Sequence, residues 1–94
     1  MSILSLDKLI EWSDEKNNFL IQERELSFER IIVATMSGHA IATYPYPKIS
    51  HQKILEIELD GYVVIVPYVE DEKTIFFKTA FHSRKATKQK EEVT

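Results

Sequence analysis

The spacing of apolar residues changes once along this chain, at about Gly38. Before that point they recur at helical intervals; after it they alternate or run together, as in strands. Leu9-Ile10-Glu11-Trp12 reads as a short strand or extended lead-in. Ser13 fits a helix N-cap, and Asp14 and Glu15 would sit in a first turn that favours negative charge. A first helix is predicted over about Asp14–Glu23, with Lys16, Phe19 and Leu20 on related turns. Ser27 is a second N-cap candidate. Phe28, Ile31, Ile32 and Thr35 follow at helical spacing, and Gly38 stands just past their end as a stop.

The second half predicts strands. Ala40–Tyr44 is one, ending at Pro45. Tyr44-Pro45-Tyr46-Pro47 cannot be helical, because each residue before a proline is pushed out of the α region. In Lys53–Leu59, Leu55, Ile57 and Leu59 point one way, while Lys53, Glu56 and Glu58 fall largely on the other side. Asp60-Gly61 is a two-residue hairpin signal, because a type I′ turn needs positive φ at both central positions. Tyr62–Val69 is almost wholly apolar, as a central strand would be. After the charged loop Glu70-Asp71-Glu72-Lys73, Thr74–Phe81 is the last strand, and Ser83 caps a closing helix from Arg84 to about Glu92. The expected order is β-α-α-β-β-β-β-α. That is an α+β single domain, residues 1–94, with a four-stranded, mainly antiparallel meander, two N-terminal helices and a C-terminal helix.

Composition narrows the class. A hydrophobic fraction of 44% in 94 residues supports one folded core. No apolar run is long enough to span a membrane, and the first residues lack the basic and apolar regions of a secretory signal. There is no cysteine, hence no disulfide and no thiolate metal site. These features predict a cytoplasmic protein with no membrane partner. His39, His51 and His82 are isolated in sequence, and no Gly-rich phosphate loop or nucleophile elbow is present, so neither metal nor cofactor is expected.

Charge changes the picture more. Residues 1–77 hold seven Lys/Arg against 13 Asp/Glu, while Lys78–Lys90 holds five Lys/Arg and no acidic residue, within an overall charge of −3. Positive charge gathered in one place suits an anion, either RNA or an acidic partner protein. Lys78, His82, Arg84 and Lys85 fall within eight residues at a predicted strand-to-helix junction. RNA cleavage needs only such groups. The 2′-hydroxyl is the nucleophile, and the protein holds the backbone, moves protons and neutralises charge on the pentavalent phosphorus. Residue types alone favour the blander explanation, in which Arg84, Lys85 and Lys88 form a solvated helix face. Tyr44, Tyr46, Tyr62 and Tyr68 are candidates to stack on bases, although sheet packing suits Tyr62 and Tyr68 better. Trp12 reads as a core anchor and His51 as an exposed loop residue.

Several local patterns line up in order. They are Glu11-Trp12-Ser13-Asp14-Glu15-Lys16-Asn17, Glu23-Arg24-Glu25-Leu26-Ser27-Phe28-Glu29, Tyr46-Pro47-Lys48, Asp60-Gly61-Tyr62-Val63, Val66-Pro67-Tyr68-Val69-Glu70-Asp71 and Phe77-Lys78-Thr79, leading to Ser83-Arg84-Lys85-Ala86-Thr87-Lys88. From about Leu9 to Lys88 the chain resembles the BrnT-like toxins of bacterial type II toxin–antitoxin systems. The resemblance implies a small cytoplasmic ribonuclease with a RelE-like α+β fold. It also implies a cognate antitoxin, often a ribbon-helix-helix protein, through which the toxin oligomerises. By position it points to Lys16, Lys78, Ser83, Arg84 and Lys85; residue types add His82 to Lys78, Arg84 and Lys85 as catalytic candidates, and Lys88 and Tyr68 to Lys16 and Ser83 as RNA contacts. Arg84 would clamp transition-state charge, and Lys78 or Lys85 would hold the flanking phosphate. The chain departs from the pattern at Tyr44-Pro45-Tyr46, where relatives often carry His-Pro-Asn, and at His82, where Pro is common. The alternative is a non-enzymatic module whose basic patch docks an acidic partner.

Overall fold

The computed structural model describes Leu4 and residues 7–84 of the 94. Eight elements follow in order: β1 (Leu9–Trp12), α1 (Asp14–Arg24), α2 (Phe28–Met36), β2 (Ala40–Pro45), β3 (Lys53–Leu59), β4 (Tyr62–Glu70), β5 (Thr74–Phe77) and β6 (Phe81–His82). The protein is α+β. The closing helix expected from Arg84 to Glu92 falls beyond Arg84 outside the described residues, and so do Lys85 and Lys88.

Both helices begin where their caps require. The Ser13 side chain accepts a hydrogen bond from the Lys16 N–H, and Ser27 does the same for Arg30. α1 ends at Glu25, which takes a left-handed conformation with φ 55°, and the Leu26 N–H closes the turn on the Leu20 carbonyl. A side chain in that region costs about 1 kcal/mol that glycine would not. The start of α2 is held by Asn17. Its side-chain oxygen accepts from the Phe28 N–H at 2.8 Å, and its amide donates to Glu29 at 2.8 Å. Asn17 is buried, so this pair of bonds welds α1 to α2.

β2, β3, β4 and β5 form the expected antiparallel run, joined at Asp60-Gly61 with φ of 54° and 83°. The sheet is larger than four strands and is mixed. β1 lies parallel to β5 at one edge, giving the order β1-β5-β4-β3-β2, and β6 also pairs with β4. β2 is the other edge. Its register shifts between Ala40 and Ala42, leaving Ile41 unpaired as a bulge, and Pro45 ends it without an N–H to donate.

The predicted single strand Thr74–Phe81 is broken in two, and the reason lies in Pro67. Tyr68 pairs with Phe77, and the next contact is a hydrogen bond from the Lys78 N–H to the Pro67 carbonyl at 2.9 Å. Pro67 has no N–H to return the bond, so the ladder lapses. Pairing resumes at Ile65↔Phe81 and Val64↔His82. Between the two paired stretches the last strand carries Lys78, Thr79 and Ala80 against only Val66 and Pro67. One extra residue is a β-bulge, and it reverses which face each later side chain occupies.

One face of the sheet packs on the helices. Leu20, Phe28 and Ile31 meet Leu55, Ile57, Val64, Val66, Tyr68, Ile75, Phe77 and Ala80 there. Phe28 lies 5.6 Å from Trp12 and 5.7 Å from Phe77, ring to ring, so Trp12 is the core anchor expected of it. On the opposite face Ile54, Val63 and Ile65 form a second buried cluster with Tyr46 packed against it. This double burial explains the nearly continuous apolar run of β4. Lys53 corrects the simple alternation of β3. It pairs with Tyr68 and so shares the face of Leu55. No helix among the described residues is long and apolar enough to cross a membrane.

Candidate functional site

The bulge separates two residues that the sequence places together. Lys78 follows Phe77, which faces the helices, and its ammonium lies 5.5 Å from the Phe76 ring on the opposite face. His82 pairs with Val64 and therefore faces the helix side. Were the alternation from Phe77 to His82 unbroken, both even-numbered positions would share one face. Lys78 and His82 therefore do not form one constellation. His82 is exposed and meets Tyr62 edge to face at 5.5 Å. Tyr62 is itself 53% exposed and not packed in the sheet as expected. Ser83 extends the β6 ladder through its N–H to the Val63 carbonyl, and Arg84 after it is helical and exposed. Tyr68 cannot stack on a base. It is 3% exposed, because its ring fills the core between β4 and the helices.

On the helix side a second group approaches His82 through the bulge. The Arg24 guanidinium, at the end of α1, donates to the Ala80 carbonyl at 2.7 Å. His82 stands two residues beyond Ala80, about 7 Å along extended chain. Arg24 also lies 5.1 Å from the Phe19 ring centroid, and the Lys16 ammonium lies 5.3 Å from the same ring. Phe19 is 41% exposed, since Asn17 and Leu20 supply the buried side of α1. Among the described residues neither Lys16 nor Arg24 makes an ion pair. Sequence reading marked Lys16 but missed Arg24 and Phe19. The available signal was a cation three residues before an aromatic on one helix, which places the two side by side.

No family model, curated protein or solved structure matches this chain.

A different cluster of cations and tyrosine lies at the far end of β4. Glu70 accepts from Lys53 at 2.8 Å and from Lys8 at 3.0 Å, and Lys8 also reaches the Asp71 carbonyl at 2.7 Å. Thr43, Lys53, Tyr68 and Glu70 line a cavity of about 370 Å³ closed in part by Leu4. The bond from Lys53, then that from Lys8, holds the Glu70 carboxyl below its ordinary range. The same bond holds the Lys53 ammonium above its own. Burial first, and then the Glu70 charge, raises the Tyr68 hydroxyl. Tyr44 lines the same cavity. Its hydroxyl is pushed up to about 12, chiefly by burial and then by donating to Glu56 at 2.7 Å. A phenol so held donates hydrogen bonds but is a poor proton acid near neutrality. Among the described residues no three His, Asp or Glu gather as metal ligands would.

Proposed function

We propose that this protein is an RNA-cleaving toxin of a bacterial toxin–antitoxin pair, acting in the cytoplasm. Its active face would lie on the helix side of β6. The observation that carries the reading is the juncture at Ala80, where Arg24 is tied to the bulge that brings His82 out beside Tyr62. The ordered sequence resemblance adds support. In the reaction His82 takes the proton of the 2′-hydroxyl as its oxygen attacks phosphorus. The bond from phosphorus to the 5′-oxygen breaks, and a protonated group returns a proton to the leaving oxygen. Arg84, with Lys85 after it, neutralises the extra charge on the pentavalent phosphorus. Lys78 stands outside this constellation, on the opposite face with Phe76.

The partner of this reading is a neutralising antitoxin, with ribbon-helix-helix chemistry following from the resemblance, and the toxin would oligomerise through it. The competing reading, a non-enzymatic binder of an acidic partner, uses the same cations without His82. Expression of the wild type should arrest growth, and Arg84→Ala or His82→Ala should relieve the arrest in a protein with unchanged circular dichroism. Incubation with RNA separates the readings: discrete products lost in either variant support the nuclease, and intact RNA supports the binder.

A further inference from the structure

The outer side of α2 carries apolar surface that neither the core nor RNA cleavage uses. The helix buries Phe28, Ile31, Ala34 and Thr35. Val33 and Met36 stand three residues apart, and so on one face, and are 63% and 69% exposed. Two adjoining hollows, of about 420 and 500 Å³, run along the helix and share Glu29 and Arg30. The first is lined by Val33 from α2 and by Leu59 and Asp60 from the end of the β3–β4 hairpin. The second reaches back to Ile21 and Leu26 at the α1–α2 junction. Arg30 spans the groove, donating to the Glu25 carbonyl at 2.8 Å and pairing with Asp60.

Three carboxylates, Glu25, Glu29 and Asp60, line this groove with one guanidinium, Arg30, which Asp60 already answers. An apolar floor between carboxylates complements a segment of the reverse pattern, an apolar stripe flanked by Lys or Arg. Two other occupants fit worse. RNA would bring phosphates against the carboxylates. A second copy docked through the same face would set acidic rim against acidic rim, because a two-fold interface pairs a patch with itself.

We propose that the groove along α2 receives a basic amphipathic helix of a partner protein. Its apolar stripe rests on Val33, Met36 and Leu59, and its cations meet Glu25, Glu29 and Asp60. A helix fits better than an added strand. The groove follows α2 through Arg30, Val33 and Ser37 on successive turns, whereas β2, the next strand and a sheet edge, is bulged at Ile41 and closed by Pro45. Met36 supplies a flexible, polarisable side chain that adapts to an incoming surface. Such docking does not depend on RNA cleavage.

The test uses the whole chain and two fluorescein-labelled synthetic peptides of leucine and lysine with one composition. One has its leucines at helical spacing; in the other the order is permuted to break that spacing. Anisotropy should show binding of the first and at least about tenfold weaker binding of the second. Val33→Gln combined with Met36→Gln should weaken the amphipathic peptide about tenfold, with urea unfolding unchanged because both positions are exposed. Glu25→Gln and Asp60→Asn should each weaken it severalfold at low salt and less at high salt. Glu72→Gln removes a carboxylate between β4 and β5, at the other end of β4, and should have no effect. No binding by the wild type, equal binding of the two peptides, an equal loss in Glu72→Gln, or undiminished affinity in the double variant would each overturn the groove as the site. Sedimentation velocity tests a second copy: self-association that the double variant abolishes would give the face to another copy of this chain. Binding of a single-stranded RNA lost in the same variant would give it to RNA, and either result overturns the proposal.

Discussion

Two groups of cations and tyrosines lie at opposite ends of β4, and they differ in what answers the positive charge. At the Tyr68 end, Lys8 and Lys53 both close on Glu70, and the tyrosine is buried. At the Tyr62 end, Arg24 closes on a backbone carbonyl and Lys16 on an aromatic ring, and the tyrosine is exposed beside His82. The first group holds both its cations on one largely buried carboxylate and serves the fold. The second has no carboxylate on Lys16 or Arg24 among the described residues. Counting basic residues does not distinguish a binding surface from an internal ion-pair network; the position of the nearest carboxylate does.

The largest effect should come from altering the bulge. Deleting Thr79 removes the extra residue and straightens the strand at Ala80, where Arg24 is held, while His82 keeps Val64 as its partner. RNA cleavage should fall about 10²-fold or more, with far-ultraviolet circular dichroism showing that the sheet persists. Undiminished cleavage would break the assignment of the active face.

Asn17→Ala tests what holds α1 in place beneath the charged end. It strands the buried Phe28 N–H and should cost about 1–3 kcal/mol in urea unfolding, while Glu25→Gly in the same helix end should stabilise by about 1 kcal/mol through relief of the positive φ.

Glu70→Gln should remove the carboxylate that Lys8 and Lys53 share. Stability should drop by about 1 kcal/mol, since the carboxylate is mostly covered while Lys53 is half exposed. The salt slope for RNA binding should steepen as Lys8 and Lys53 become available. An unchanged slope would show that neither lysine can reach the strand.

The smallest effects are in pH dependence. The Glu70 carboxyl titrates lower in the folded protein than unfolded, so its contribution is whole above the ordinary glutamate range and is lost as pH falls through its folded value. The acid limb of wild-type stability should therefore flatten in Glu70→Gln. Tyr44 has the opposite sign. With its folded value raised to about 12, its contribution is whole below the ordinary tyrosine value of 10.0 and lost between the two. Ultraviolet difference titration should show Tyr44 and Tyr68 ionising late, and the Tyr44 component should disappear in Tyr44→Phe.

How far the sequence reveals this protein can be judged residue by residue. Ser13 and Ser27 announced both helices, and Asp60-Gly61 announced the central hairpin, because a cap or a two-residue turn depends only on neighbours in the chain. The approximate limits of α1, β3 and β4 follow for the same reason. The split of the last strand was hidden, although its cause, Pro67, is in plain view. A proline breaks a ladder only on the side that its missing N–H would face, and that side is set by the pairing with β3 and β5. The placement of β1 beside β5 was equally hidden, since its partner lies more than sixty residues away.

For the candidate site, the sequence by itself determined that positive charge is concentrated near the end of the described chain, and that His82 and Arg84 lie within it. Only the tertiary structure decided that Lys78 faces away, that Tyr68 is core, and that Arg24 from the first helix joins the group through Ala80. The physical reason is one of range. Helix caps and turns are settled by interactions within a few residues, whereas the face a strand residue occupies, and the carboxylate that neutralises a given cation, depend on register and on contacts across the whole sheet.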